Sequence, residues 1–199
     1  MLVASLRNHI NLVGKANDMT SERLDQLPPP TVDSTVDAAE MELKCELPML
    51  YRRCLTTIAN GGIGPGYGFI GMSNGYPDSH GRAFVDACRE MPTFVVGGKV
   101  QQIRGMLPLW EWGSGITVCM DVSDPSTRLF VIDEAGLTRS EMTLFDALLR
   151  WVNGDELWNI MFESQEVLRP NPFSGGVMKV KRNLTAIGKH VARFGDVSV

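Results

Sequence analysis

Apolar residues recur at helical spacing between Leu47 and Ile58. Leu47, Leu50, Tyr51, Cys54, Leu55 and Ile58 fall at i, i+3, i+4, i+7, i+8 and i+11, one stripe at a period near 3.6. Pro48 suits the first helical position, where its missing N–H would have no intrahelical partner. Arg52, Arg53, Thr56 and Thr57 take the outer face. Asn60-Gly61-Gly62 predicts a hard stop, with Gly61 in the left-handed conformation that satisfies the last carbonyls. Ile63-Gly64-Pro65-Gly66 then reads as a turn and Tyr67 to Met72 as a short strand.

The same reading extends along the chain. Leu2, Leu6, Ile10 and Val13 predict a first helix ended by Gly14, and Leu24 and Leu27 a short turn before the extended Pro28-Pro29-Pro30. Thr31 to Cys45 reads as a helix capped by Asp33 or Ser34, with Val36, Ala39, Glu40 and Leu43 along one side. Residues 73–82 are turn-rich, and 83–90 suit one or two helical turns. Strands are predicted at Thr93–Val96 and, after a stretch from Leu107 to Gly115 that leads into them, at Ile116–Val122 and Leu129–Asp133, the last two as an antiparallel hairpin. Thr143 caps a final aromatic helix region reaching Phe162, which Asn153-Gly154-Asp155 breaks in two.

Leu-Pro-x-x-Tyr at 47–51, the Asn-Gly-Gly stop and Gly-Pro-Gly-Tyr-Gly at 64–68 together resemble the SUKH superfamily, whose bacterial members are largely immunity proteins of toxin systems. Trp112-Gly113-Ser114-Gly115 is a second anchor, with Ser114 where a cysteine is common. Phe130 and Val131 stand where many members have a tryptophan. Trp151, and Asn171-Pro172-Phe173 before a basic end, also match. The resemblance covers about residues 31–165. It implies an α+β fold, with N-terminal helices packed on a mostly antiparallel sheet and a C-terminal aromatic helix closing it. The expected organisation is an N-terminal helical extension over 1–30, the SUKH-like domain over 31–169 and a basic tail over 170–199.

Charge divides along the same line. Residues 1–169 hold 14 Lys and Arg against 22 Asp and Glu, a balance of −8, whereas 170–199 hold five Lys and Arg against one Asp, a balance of +4. An acidic body argues against direct nucleic-acid binding and suits a basic protein partner. The tail has two readings, folded back on its own body or projecting. Val177, Val180, Leu184, Ile187 and Val191 would let part of it dock as a helix or strand. Cys45, Cys54, Cys88 and Cys119 never approach metal-ligand spacing and read as free thiols of a reducing compartment. With neither a basic leader nor a membrane-length apolar run, the expected location is the cytoplasm.

Motifs for chemistry are weak. Gly66-Tyr67-Gly68-Phe69-Ile70-Gly71 fits G-x-G-x-x-G formally, but a nucleotide site needs a strand before it and a helix after it. Asp78-Ser79-His80 are adjacent in sequence and read as a hydrogen-bonded turn rather than a triad. Trp110 and Trp112 alternate and suit the core, with a partner anchor as the other reading. The expected function is therefore non-enzymatic, without cofactor, metal or membrane: neutralisation of a cognate toxin's C-terminal domain, such as a nuclease, by occlusion. A regulatory scaffold unrelated to toxins is the alternative. Turn and strand positions Tyr67, Tyr76, Asp78, Glu111, Asp121 and Asp124 are the candidate contacts, because loops on a rigid sheet carry recognition.

Overall fold

The apolar stripe over 47–58 buries Tyr51, Cys54, Leu55 and Ile58 completely or nearly so. The computed structural model describes residues 1–91, 93–96, 99–102, 106–122, 125–133, 136–162, 166–170 and 177–181. In chain order the elements are α1 (Leu2–Val13), α2 (Asp33–Leu43), α3 (Met49–Thr57), α4 (Phe84–Arg89), β1 (Thr93–Val96), β2 (Lys99–Gln102), β3 (Met106–Gly113), β4 (Ile116–Asp121), β5 (Arg128–Asp133), β6 (Gly136–Thr143), α5 (Leu144–Val152), α6 (Leu157–Phe162), β7 (Glu166–Pro170) and β8 (Val177–Lys181), with a 3-10 turn at Leu24–Gln26. The protein is an α+β fold. Its main sheet is a four-stranded antiparallel meander in the order β3-β4-β5-β6. β1 with β2 and β7 with β8 form separate antiparallel pairs.

Alternation along the central strands sorts side chains to two faces. Val118, Met120, Leu129 and Val131 join the main core, while Cys119, Phe130 and Ile132 gather with Met91 in a second cluster. The main core takes Leu6 and Ile10 from α1, Val36 and Ala39 from α2, Tyr51 and Leu55 from α3, and Leu144, Leu148 and Trp151 from α5. The first thirty residues are therefore built into the same core as the rest. Trp110 and Trp112 are both buried. Trp110 packs on Phe69 with ring centroids 5.9 Å apart, and Trp112 on Trp158 at 5.5 Å.

Caps follow local chemistry. Gly14 ends α1 at φ 73°, its N–H donating to the Ile10 carbonyl. Thr143 and Asp146 form a reciprocal capping box at the start of α5, and the 153–156 break separates α5 from α6 as expected. Val32 rather than Asp33 or Ser34 occupies the N-cap of α2, and Pro48 the N-cap rather than the first position of α3. The tight turn joining β3 to β4 runs through Gly113, Ser114 and Gly115, all at positive φ.

Three further sequence expectations need correction. α3 stops at Thr57 with Ile58 as C-cap in right-handed geometry, so Gly61 is not the residue that terminates it. Residues 67–72 form no strand, because Gly64, Gly66 and Gly68 at positive φ turn the backbone away from extended pairing. The segment instead lies along β3, where the Tyr67 and Ile70 N–H groups donate to the Glu111 and Leu109 carbonyls. It covers an otherwise open sheet edge. The third concerns the boundary after Arg169, which falls inside β7, paired residue by residue with β8. Val177–Lys181 of the tail is thus a strand, and 182–199 lie outside the described residues.

Gly61 matters for a different reason from helix termination. Its φ is 90°, and a Cβ there would sit 2.6 Å from the Gly71 nitrogen and 2.7 Å from the Phe69 carbonyl oxygen. Gly14, also at positive φ, has nothing within 4 Å of a Cβ. Gly14→Ala should therefore cost only left-handed strain, about 1–2 kcal/mol. Gly61→Ala adds a backbone collision and should cost clearly more in urea unfolding. Equal costs at the two positions would remove the packing role assigned to Gly61.

Candidate functional site

Tyr67 stands at the tip of a glycine turn fixed from both sides. Asp18 Oδ2 accepts from the Gly66 N–H at 3.0 Å, and Asp18 Oδ1 accepts from the Trp151 indole N–H at 2.7 Å. One carboxylate thereby joins the N-terminal segment, the turn and α5. Asn17 adds a parallel bridge to Gly64, and its buried amide donates to the Gly62 carbonyl at 3.0 Å. On the other side the Tyr67 N–H donates to the Glu111 carbonyl at 2.8 Å. Tyr67 itself is 36% exposed, an aromatic ring on a rigid mount.

The 78–82 loop lies against the same strand. Asp78 Oδ1 accepts from the His80 and Arg82 N–H groups at 2.9 and 2.8 Å, and its Oδ2 from Arg82 Nε at 2.6 Å. Arg82 reaches on to Glu90 at 2.9 Å. Glu111 Oε2 accepts from the Ser79 N–H at 2.7 Å, pinning the loop to β3. Ser79 Oγ lies 3.3 Å from His80 Nδ1, but the Asp78 carboxylate is taken up by backbone and guanidinium donors. It does not orient the imidazole as a triad acid must. The arrangement is the hydrogen-bonded turn expected from the sequence.

The structure brings Tyr67, Asp78 and Glu111 together along β3 but corrects the exposure expected of two of them. Asp78 and Glu111 are buried, 7% and 9% exposed, and their carboxylates serve the loop. Tyr76 is half-buried, and its hydroxyl donates to Glu22 Oε2 at 2.6 Å. Burial first, and the Glu22 carboxylate second, push its phenol well above the ordinary value. Asp121 is half-buried at the end of β4, opposite Met106. Asp124 lies outside the described residues. Sequence reasoning missed Arg82, although its position four residues after Asp78 is a readable pairing signal. It also missed Asn17 and Asn60, buried amides with no periodic signature.

Charge collects elsewhere, on α2. Arg52 alone meets Asp33 at 2.9 Å, Asp37 at 2.7 Å and Glu40 at 3.0 Å. Three carboxylates on one guanidinium leave this face with an acidic excess. The thiols offer no activated nucleophile: burial raises Cys54 to about 12 and pushes Cys119 well above the usual range. Among the described residues no helix is long and apolar enough to cross a membrane.

Asp18 places a titratable carboxyl in the mount of Tyr67. Burial raises its carboxyl above the ordinary 3.8, outweighing the Trp151 and Gly66 hydrogen bonds and the His9 charge, which pull it down. A carboxyl raised on folding binds its proton more tightly in the folded state, so its share of stability is full below the unfolded value and is lost as pH rises through the folded one. Urea unfolding followed upward from pH 3.8 should show this fall in the wild type, and Asp18→Asn should flatten it. An unchanged slope in Asp18→Asn would show that the carboxyl is not raised.

No protein-family model and no curated protein matches this chain.

Proposed function

We propose that this chain is an immunity protein of the SUKH type, acting in the cytoplasm by covering the C-terminal domain of a cognate bacterial toxin, without chemistry of its own. The observation that carries the reading is the acidic excess of α2, where Asp33, Asp37 and Glu40 share one cation and Asp33 and Asp37 stay on the surface. It is the folded expression of the −8 balance over residues 1–169. Toxin nuclease sites are basic because they grip phosphates, and an opposed field raises the encounter rate and disfavours wrong partners. Tyr67 supplies an exposed aromatic on a rigid turn, the residue type over-represented where interface energy concentrates. The motif at 47–51 and the glycine turn after it support the family reading.

The test uses the C-terminal domain of the cognate toxin. Asp33→Lys with Asp37→Lys should slow association about 10-fold at low salt, and the difference should shrink as salt rises. Tyr67→Ala should instead speed dissociation. Wild-type rates for the charge-reversed protein at every salt concentration would overturn the electrostatic account. Binding without protection of cells from the toxin would favour a regulatory scaffold.

A further inference from the structure

The outer side of α5 repeats the apolar spacing of its buried side. Leu144, Ala147, Leu148 and Trp151 are buried in the core. Phe145 and Leu149, four residues apart, stand 51% and 40% exposed, with Val152 half-buried next in line on the same side. α6, which packs on α5, adds Trp158 and Ile160, 39% and 38% exposed. A surface helix ordinarily turns polar residues outward, so large apolar side chains on two adjacent helices mark a face that something covers.

The chain itself carries a segment fitted to this face. Leu184, Ile187, Val191 and Phe194 recur at spacings of three, four and three, the period of one helix side. Gly188 and the β-branched Val191 make that stripe a poor helix on its own, so it needs a surface to form on. The pairing of β7 with β8 delivers it to the right place, because Lys181 lies opposite Glu166, four residues after the end of α6 at Phe162. Paired strands lie about 5 Å apart and four residues reach about 14 Å, so Arg182 starts within roughly 25 Å of Phe162. From Asn183 to Phe194 a helix would span about 18 Å, against about 14 Å for α5. Charge agrees with the fit. Residues 144–162 hold Asp146, Asp155 and Glu156 against Arg150, whereas 182–199 hold Arg182, Lys189 and Arg193 against Asp196, so the two stretches attract.

We propose that residues 183–194 dock along the outer face of α5, laying Ile187 and Val191 against Phe145 and Leu149. The basic end of the chain thereby covers the chain's own apolar surface. Of the two readings of the tail, this is the one folded back on the body rather than projecting. It does not rest on the toxin reading.

Trypsin reads the docking in the full-length chain, because Lys189 lies within the proposed contact. Cleavage there tracks how often the segment opens. The bond after Lys189 should be cut slowly in the wild type. It should be cut about 10-fold or more faster in Phe145→Asp with Leu149→Asp, which removes the burial of two large side chains. Ile187→Asp, a change in the tail that leaves α5 intact, should accelerate cleavage equally. Met41→Asp, at an 80% exposed position on α2, should leave the rate unchanged. Wild-type cleavage as fast as that of a free 182–199 peptide, or equal rates in the wild type and Ile187→Asp, overturns the proposal. Protection that appears only as protein concentration rises also overturns it, and gives the face to a second copy of the chain.

Discussion

Backbone packed directly on backbone between residues 60 and 71 is the constraint on which the rest depends. At Gly61 a side chain would strike Gly71 and Phe69, and at Gly68 it would strike the Gly62 carbonyl. The approach is close because the segment has polar groups to satisfy in a dry place. Asn60 accepts from the Met72 N–H through its side chain and from the Tyr76 N–H through its carbonyl. The Tyr51 hydroxyl donates to the Ile70 carbonyl at 2.6 Å. The Gly62 N–H donates to Phe69 and the Phe69 N–H to Ile63. Through these bonds α3, the turn and β3 become one body, and the N-terminal segment is bonded onto it by Asn17 and Asp18.

The periodic elements were legible in the sequence because their signal is local. Leu6 and Ile10 with Gly14, Tyr51 with Cys54 and Leu55, and Thr143 with Asp146 each announce an element from a few neighbouring residues. The failures have equally local causes. Asn60-Gly61-Gly62 looks like a helix stop, yet α3 has already ended, and Gly61 answers to a backbone ten residues further on. Tyr67 to Met72 has the composition of a strand, but Gly68 within it and Gly64 and Gly66 just before it stand at positive φ and break a regular ladder. β6 was not foreseen because Gly-Leu-Thr-Arg-Ser-Glu-Met-Thr lacks an alternating apolar face, as suits an edge strand. Asp78 and Glu111 looked like exposed carboxylates because burial by a loop 32 residues distant leaves no mark on either stretch.

Exposed charge and internal hydrogen bonding are placed on different groups. The carboxylates beside Tyr67 and on the 78–82 loop are turned inward and hold the surface in shape. On α2, Asp33 and Asp37 stay outside and meet Arg52 there, while Glu40 is half-buried and also accepts from the Leu47 N–H. The outer charges can change without disturbing the inner set, because Arg52 holds the first and Arg82 and the Ser79 N–H the second.

Amide hydrogen exchange across the 60–71 segment tests the central claim most directly. If this turn is part of the core, the N–H groups of Gly62, Phe69 and Ile70 should exchange as slowly as those of Val118 and Cys119 in β4, opening only with global unfolding. Exchange orders of magnitude faster in the turn than in β4 would show a loop that opens on its own, and would contradict the account.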